Sequence, residues 1–205
     1  IDVSSIGILS QRLILVQYRG MIDKGKINIV DDEGKVIGED TRENVHKKGL
    51  LHREVHIWFY TPDGKIIFQH RAKNKDTFPD QLDATAGGHV DLGMEWQDSA
   101  VKEVQEETGV MIALTDLKYI TMVKSKTFDQ ATNKINNVIR KIYAYLYEGK
   151  LEDLKDIGDS DEVQDFESWD IDVLLDKKSD KTRILPALLD EDSIQIYRKI
   201  KDLTK

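Results

Sequence analysis

Between Gly88 and Val110 the chain reads Gly-His-Val-Asp-Leu-Gly-Met-Glu-Trp-Gln-Asp-Ser-Ala-Val-Lys-Glu-Val-Gln-Glu-Glu-Thr-Gly-Val. From Trp96 to Thr108 there is neither Gly nor Pro, Ala100, Val101 and Val104 recur at helical spacing, and Gly109 supplies a stop. At about 100° per residue those apolar positions form one stripe, and Glu103, Glu106 and Glu107 form another roughly 120° around the helix. Carboxylates so spaced repel by a few tenths of a kcal/mol per pair, a cost that a hard divalent cation removes. Mg²⁺ takes oxygen ligands, retains several waters and fills its remaining positions from substrate phosphates. Gly87, Gly88 and Gly93 allow close backbone approach and a sharp turn just before the helix. A solvated acidic face is the plainer meaning of three helical glutamates; the glycine loop in front of them favours a site.

The elements around this segment follow from local patterning. Lys26–Val30 and Lys35–Gly38 flank Asp31-Asp32-Glu33-Gly34, which predicts a hairpin with an acidic turn. Thr41 to His46 reads as a short helix capped by Thr41, with Glu43 in its first turn. Glu54–Tyr60 and Lys65–His70 are β-rich runs joined by Thr61-Pro62-Asp63-Gly64, a hairpin. Leu82–His89 reads as one short strand ending at the paired glycines. Leu117–Lys124, Asn137–Tyr147 and Val163–Trp169 read as further strands, and Ser193–Leu203 as a closing amphipathic helix. Strands that follow one another directly predict a mixed sheet with helices on both faces, an α/β (α+β) arrangement. Residues 1–20 read either as an extension before Met21 or as an edge strand over Gln11–Tyr18, and residues 21–205 as one domain.

Composition bounds the function. The chain has 205 residues, 40% hydrophobic and 33% charged, and no run approaching the about 20 apolar residues of a membrane span. It contains no cysteine, which excludes disulfides, thiolate nucleophiles and cysteine-bound zinc. The formal charge of −8 argues against a nucleic-acid polymer as partner. With no secretory signal pattern, the expected location is the cytoplasm. A homodimer is the commonest assembly for such a chain.

The Gly88–Val110 segment resembles the Nudix box, G, five residues, E, seven residues, R-E-U-x-E-E-x-G-U, with U a bulky aliphatic. Gly88, Glu103, Val104, Glu106, Glu107, Gly109 and Val110 fall in register with it. Met94 stands where the pattern has its first glutamate, with Glu95 one place later, and Lys102 replaces the arginine. In that family the first glutamate and the arginine orient loop and helix. If Glu95 takes the missing role, its carboxylate turns toward the helix start or Lys102. If Met94 merely fills the place, Met94→Glu is expected to raise turnover, and the preserved residue count from Gly93 to Lys102 favours this second case.

Further similarity runs from about Ile27 to Trp169: Glu43 to Arg53, Val55-His-Ile-Trp58, Gln69-His-Arg71, Lys75, Pro79, Leu82 to His89 and Ile135-Asn-Asn137 resemble the Nudix subgroup related to isopentenyl-diphosphate isomerase. The resemblance implies the Nudix fold, an α/β/α sandwich with a mixed β-sheet. It implies metal at Glu103, Glu106 and Glu107, with Mg²⁺ as the cofactor and Mn²⁺ as a substitute. A small-molecule diphosphate would be the substrate, contacted by Arg71, Lys75 and the Gly87–Gly88 backbone; Arg71 and Lys75 read equally as a solvated hairpin rim. The isomerase places its catalytic cysteine where this chain has Gly87, so isomerase chemistry is not expected. His46, His52 and His89 match that enzyme's metal-binding histidines in order, but the partner glutamates are missing from Asn137–Tyr143, so ordinary hydrogen-bonding roles are expected. His56 and His70 read as structural. The general base has no evident residue: Val138 stands where the subgroup has a glutamate, and Glu162 is a substitute. Two readings follow: a Mg²⁺-dependent diphosphate hydrolase on a nucleotide-type or other small organic diphosphate, or a degenerate Nudix domain that binds nucleotide or metal with little turnover.

Overall fold

Strand β3 (His52–Tyr60) is the axis of the sheet. In this computed structural model, which describes residues 25–75, 78–130, 132–158 and 163–205, β3 pairs antiparallel with three strands and parallel with one. The expectations for residues 1–20 and for Glu162 lie outside the described residues. Strands β1 (Lys26–Val30) and β2 (Val36–Thr41) form the expected hairpin, its turn held by the Asp31 carboxylate, which accepts from the amides of Glu33 and Lys35. Helix α1 (Arg42–Lys48) starts on Thr41, whose hydroxyl accepts from the Asn44 amide at 3.2 Å, and stops at Gly49 with φ 64°.

The sheet forks along one edge of β3. Its C-terminal end pairs with β4 (Lys65–Arg71) through Phe59↔Ile67 and Tyr60↔Ile66, and its N-terminal half pairs with β6 (Ala86–His89). Strand β4 turns away to pair with β5 (Leu82–Asp83) and β9 (Val163–Asp170). The single strand expected over Leu82–His89 is therefore two, because its halves pair with different neighbours. Thr85 sits at the break: its hydroxyl accepts from the Phe59 amide at 2.9 Å and donates to the Ile67 carbonyl. That hydroxyl stands in for a missing ladder strand at a fully buried position. Thr85→Val, nearly isosteric, strands both backbone groups and is expected to cost about 1–3 kcal/mol; an unchanged urea midpoint would refute the role.

Strands β7 (Lys118–Asp129) and β8 (Lys134–Leu146) form a long hairpin, and β8 runs parallel to β3 from His52↔Val138 to Tyr60↔Leu146. Alternation along β3 divides the core. Val55, Ile57 and Phe59 pack with Val101 and Val104 of α2 (Trp96–Thr108), whereas Trp58 and Tyr60 join a second cluster with Ile196, Tyr197 and Ile200 of α4 (Glu191–Asp202). The result is the expected mixed sheet between helical layers. A short helix α3 (Ile171–Leu175), capped by Asp170, was not legible in the sequence. Among the described residues no helix is long and apolar enough to cross a membrane.

Candidate functional site

Helix α2 packs its apolar stripe on β3 and thereby lays its carboxylates across the start of β6. Glu107 Oε2 accepts from the Gly87 amide at 3.0 Å and from Gln69 Nε2 at 3.1 Å. Glu103 lies on the next residue: a Cβ at Gly88 would fall 2.7 Å from the Glu103 carboxylate carbon, so a side chain there would push that carboxylate aside. At Gly87 a Cβ would meet the His56 ring at 2.7 Å and the Val55 carbonyl at 2.8 Å. Two of the three expected ligands thus converge on the Gly87–Gly88 strip, Glu103 buried and Glu107 half-buried, while Glu106 is exposed.

The charge on this helix is balanced by Lys102. Its ammonium lies 3.1 Å from Glu103 Oε1, 3.0 Å from Glu106 Oε2 and 3.2 Å from Asp91 Oδ2. Burial alone would lower the Lys102 pKa; the three carboxylates outweigh it and raise it. Burial pushes Glu103 up to about 7, against the pull of Lys102. Its unfolded value is the ordinary glutamate 4.5, so the folded chain binds this proton more tightly. The associated stability is full below 4.5 and is lost as pH rises toward 7. The melting temperature of the metal-free protein, measured relative to Glu103→Gln, is expected to fall across that window; a constant difference would refute the shift.

Of the two readings of the Met94–Glu95 break, the one that gives Glu95 the missing role is not met, and Met94 fills the place. Met94 is only 2% exposed and packed in the core with Val90 and Trp96, so the side chain fills apolar space and leaves no vacant polar position. Glu95 is exposed at the N-cap and makes no side-chain cap hydrogen bond. The carboxylate that meets Lys102 from the loop is Asp91, a residue that the motif spacing does not single out.

Gly87 and Gly88 also line a cleft of about 910 Å³, together with Arg42, Arg71, Lys75 and Lys134. Arg71 is braced there, donating from Nε to the Phe78 carbonyl at 3.2 Å and from Nη1 to Asp83 at 3.0 Å. The floor holds Glu54, His46, His56 and His89. Although burial opposes it, the charge and hydrogen bonds of Arg140 hold the Glu54 carboxyl well below the usual range; Arg140 Nη2 stands 2.6 Å from its Oε2.

His46, His52 and His89 do make hydrogen bonds, His46 Nε2 with His89 Nε2 at 3.1 Å and His52 Nδ1 with the Leu50 carbonyl at 3.0 Å. They also form a cluster whose ligand atoms lie within 4.8 Å of one another. Burial lowers the pKa of all three, His89 to about 3, so the rings are neutral, the form that binds metal. The buried His52 Nε2 has no hydrogen-bond partner. His70, Asp165 and Glu167 make a second such group; there His70 bridges Asp80 and Asp165, and Glu167 pairs with Arg183. His56, expected to be structural, reaches the cleft as well.

Sheet forks, glycine strip and carboxylate helix together are those of the NUDIX domain family, which matches residues 50–188; the chain belongs to it. An uncharacterised Nudix hydrolase of Clostridium acetobutylicum is 32% identical over 161 residues, covering 75% of each chain. The uncharacterised Nudix hydrolase YfcD of Escherichia coli is 39% identical over 95 residues, 46% of this chain and 53% of that protein. The match thus spans about half the length of YfcD. Among solved structures, DR0079 of Deinococcus radiodurans superposes with a TM-score of 0.55 at 18% identity, over 73% of this chain and 86% of that one. The NUDIX domain of Shewanella oneidensis NrtR gives 0.51 at 14% identity, over 81% of this chain and all of that domain. At these identities the likeness speaks for the fold.

Proposed function

We propose that this Nudix chain is a Mg²⁺-dependent hydrolase that cleaves the diphosphate linkage of a nucleotide-type or other small organic diphosphate. The observation that carries this reading is the convergence of Glu103 and Glu107 on the Gly87–Gly88 strip, at the edge of a cleft walled by Arg42, Arg71, Lys75 and Lys134. The residues fit a hard cation: the donors are carboxylate oxygens, Glu103 is buried, and the absence of a side chain at Gly88 lets its carboxylate lie against the strand. Glu103 and Glu107 would hold the ion, with Glu106 sharing it or orienting water. A bound Mg²⁺ supplies Lewis-acid neutralisation of phosphate charge, worth several kcal/mol. Gln69 and the Gly87 amide fix the Glu107 carboxylate, so its position costs no reorganisation when substrate arrives. The cationic walls attract and orient the diphosphate. The isomerase reaction is not proposed, because Gly87 stands in place of its cysteine and the chain has no thiol.

A second reading, binding with little turnover, is favoured by one feature: Val138, at the position of the subgroup's glutamate, is fully buried and cannot activate water. Phosphate release with Mg²⁺ across a panel of nucleoside diphosphate derivatives separates the two. The NrtR domain was solved in complex with ADP-ribose, which puts that compound in the panel. Release supports the hydrolase; tight binding without release supports the second reading.

A further inference from the structure

The Lys102 ammonium lies within 3.2 Å of three different carboxylates and donates a hydrogen bond to one of them, Glu103 Oε1. Two of those, Glu103 and Glu106, belong to the helix that the metal reading assigns to a divalent cation; Asp91 does not. Lys102 therefore already neutralises the oxygens that an incoming cation needs, and its positive charge opposes that cation at close range in a partly buried setting. Its side chain is only 15% exposed, so it cannot leave for solvent without losing its buried partners.

Asp91 offers it somewhere to stay. The Asp91 backbone bridges Ile27 of β1, and its carbonyl accepts from the Met94 amide at 3.0 Å, closing a turn in which Gly93 takes φ 78°. The Asp91 backbone is thus held by the sheet and the loop turn, not by the helix that carries Lys102. A lysine suits such an exchange, because its point charge on a flexible stem shifts between partners, whereas an arginine fork is geometrically committed.

Resting on the metal reading above, we propose that Lys102 is a tethered counter-cation that neutralises the empty carboxylate site and is retained by Asp91 when a divalent cation loads. The Asp91–Lys102 pair then sets metal affinity. The two partners have opposite signs: Lys102 competes with the cation, and Asp91 draws the competitor away. A purely structural pair would instead show the same sign for both.

The test is direct binding to the metal-free, full chain, by Mg²⁺ calorimetry and by loss of the free Mn²⁺ paramagnetic resonance signal. Lys102→Met is expected to tighten the Kd by about tenfold and Asp91→Asn to weaken it by a similar factor, the scale for one charge beside a partly buried ion. The double variant should match Lys102→Met within about twofold, because Asp91 acts only through Lys102. Metal-free melting should drop for Lys102→Met, whose carboxylates lose their counter-charge, and Mn²⁺ should restore it. If Lys102→Met does not fold, Lys102→Gln carries the same expectation, and Lys102→Arg should bind no tighter than the native chain. Unchanged or weakened binding in the charge-removing variants, or a double variant that follows Asp91→Asn, overturns the proposal alone. Native binding that is absent, or that survives Glu103→Gln and Glu107→Gln together, overturns the metal reading and this proposal with it.

Discussion

Glu107→Gln is expected to lower Mg²⁺-dependent hydrolysis by at least about a hundredfold while leaving the melting temperature of the metal-free protein nearly unchanged. The activity loss follows from removing one ligand charge at an ion whose contribution is several kcal/mol, with each 1.36 kcal/mol worth about tenfold in rate. The fold is spared because the amide oxygen of glutamine still accepts from the Gly87 amide and from Gln69, the two bonds that Glu107 Oε2 now receives. Steady-state phosphate release and a thermal melt check both halves. Turnover at the native level would remove Glu107 from the site.

Met94→Glu is expected to be the most destabilising single change considered, by on the order of 3–5 kcal/mol, a large part of a typical domain's net stability. Read from the motif alone, the same substitution restores a family residue and should raise turnover. The packing reverses that expectation: at 2% exposure among Val90, Trp96 and their neighbours, a carboxylate would be buried without a partner. Lys102 cannot rescue it, since its ammonium already lies within 3.2 Å of Asp91, Glu103 and Glu106. Met94→Leu, which conserves volume, should cost less than about 1.5 kcal/mol. Denaturant unfolding of the two variants decides the matter; a Met94→Glu protein as stable as the native chain, and faster, would place that side chain outside the core.

The elements that depend on neighbours in sequence were legible without coordinates. Helix α2 is announced by its apolar stripe and stopped by Gly109, the hairpin at Thr61–Gly64 by its turn residues, and α1 by the Thr41 cap. The glycine strip and the three glutamates were legible as well, because a glycine needed for close approach and carboxylates on one helical face both leave a spacing in the chain.

What the tertiary structure alone decided are contacts set by sheet register. Glu54 meets His89 because β3 pairs antiparallel with β6, and it meets Arg140 because β8 runs parallel on the other edge, 86 residues away. Strand pairing and helix packing together gather His46, His52 and His89, bring Gln69 to Glu107, and split Leu82–His89 at Thr85. Burial was equally out of reach: Met94 and Asp91 are three residues apart in one loop, and only the packing of α2 against β3 turns one into core and the other into the partner of Lys102. Periodicity records which face of an element is apolar; it does not record which distant residue that face will meet.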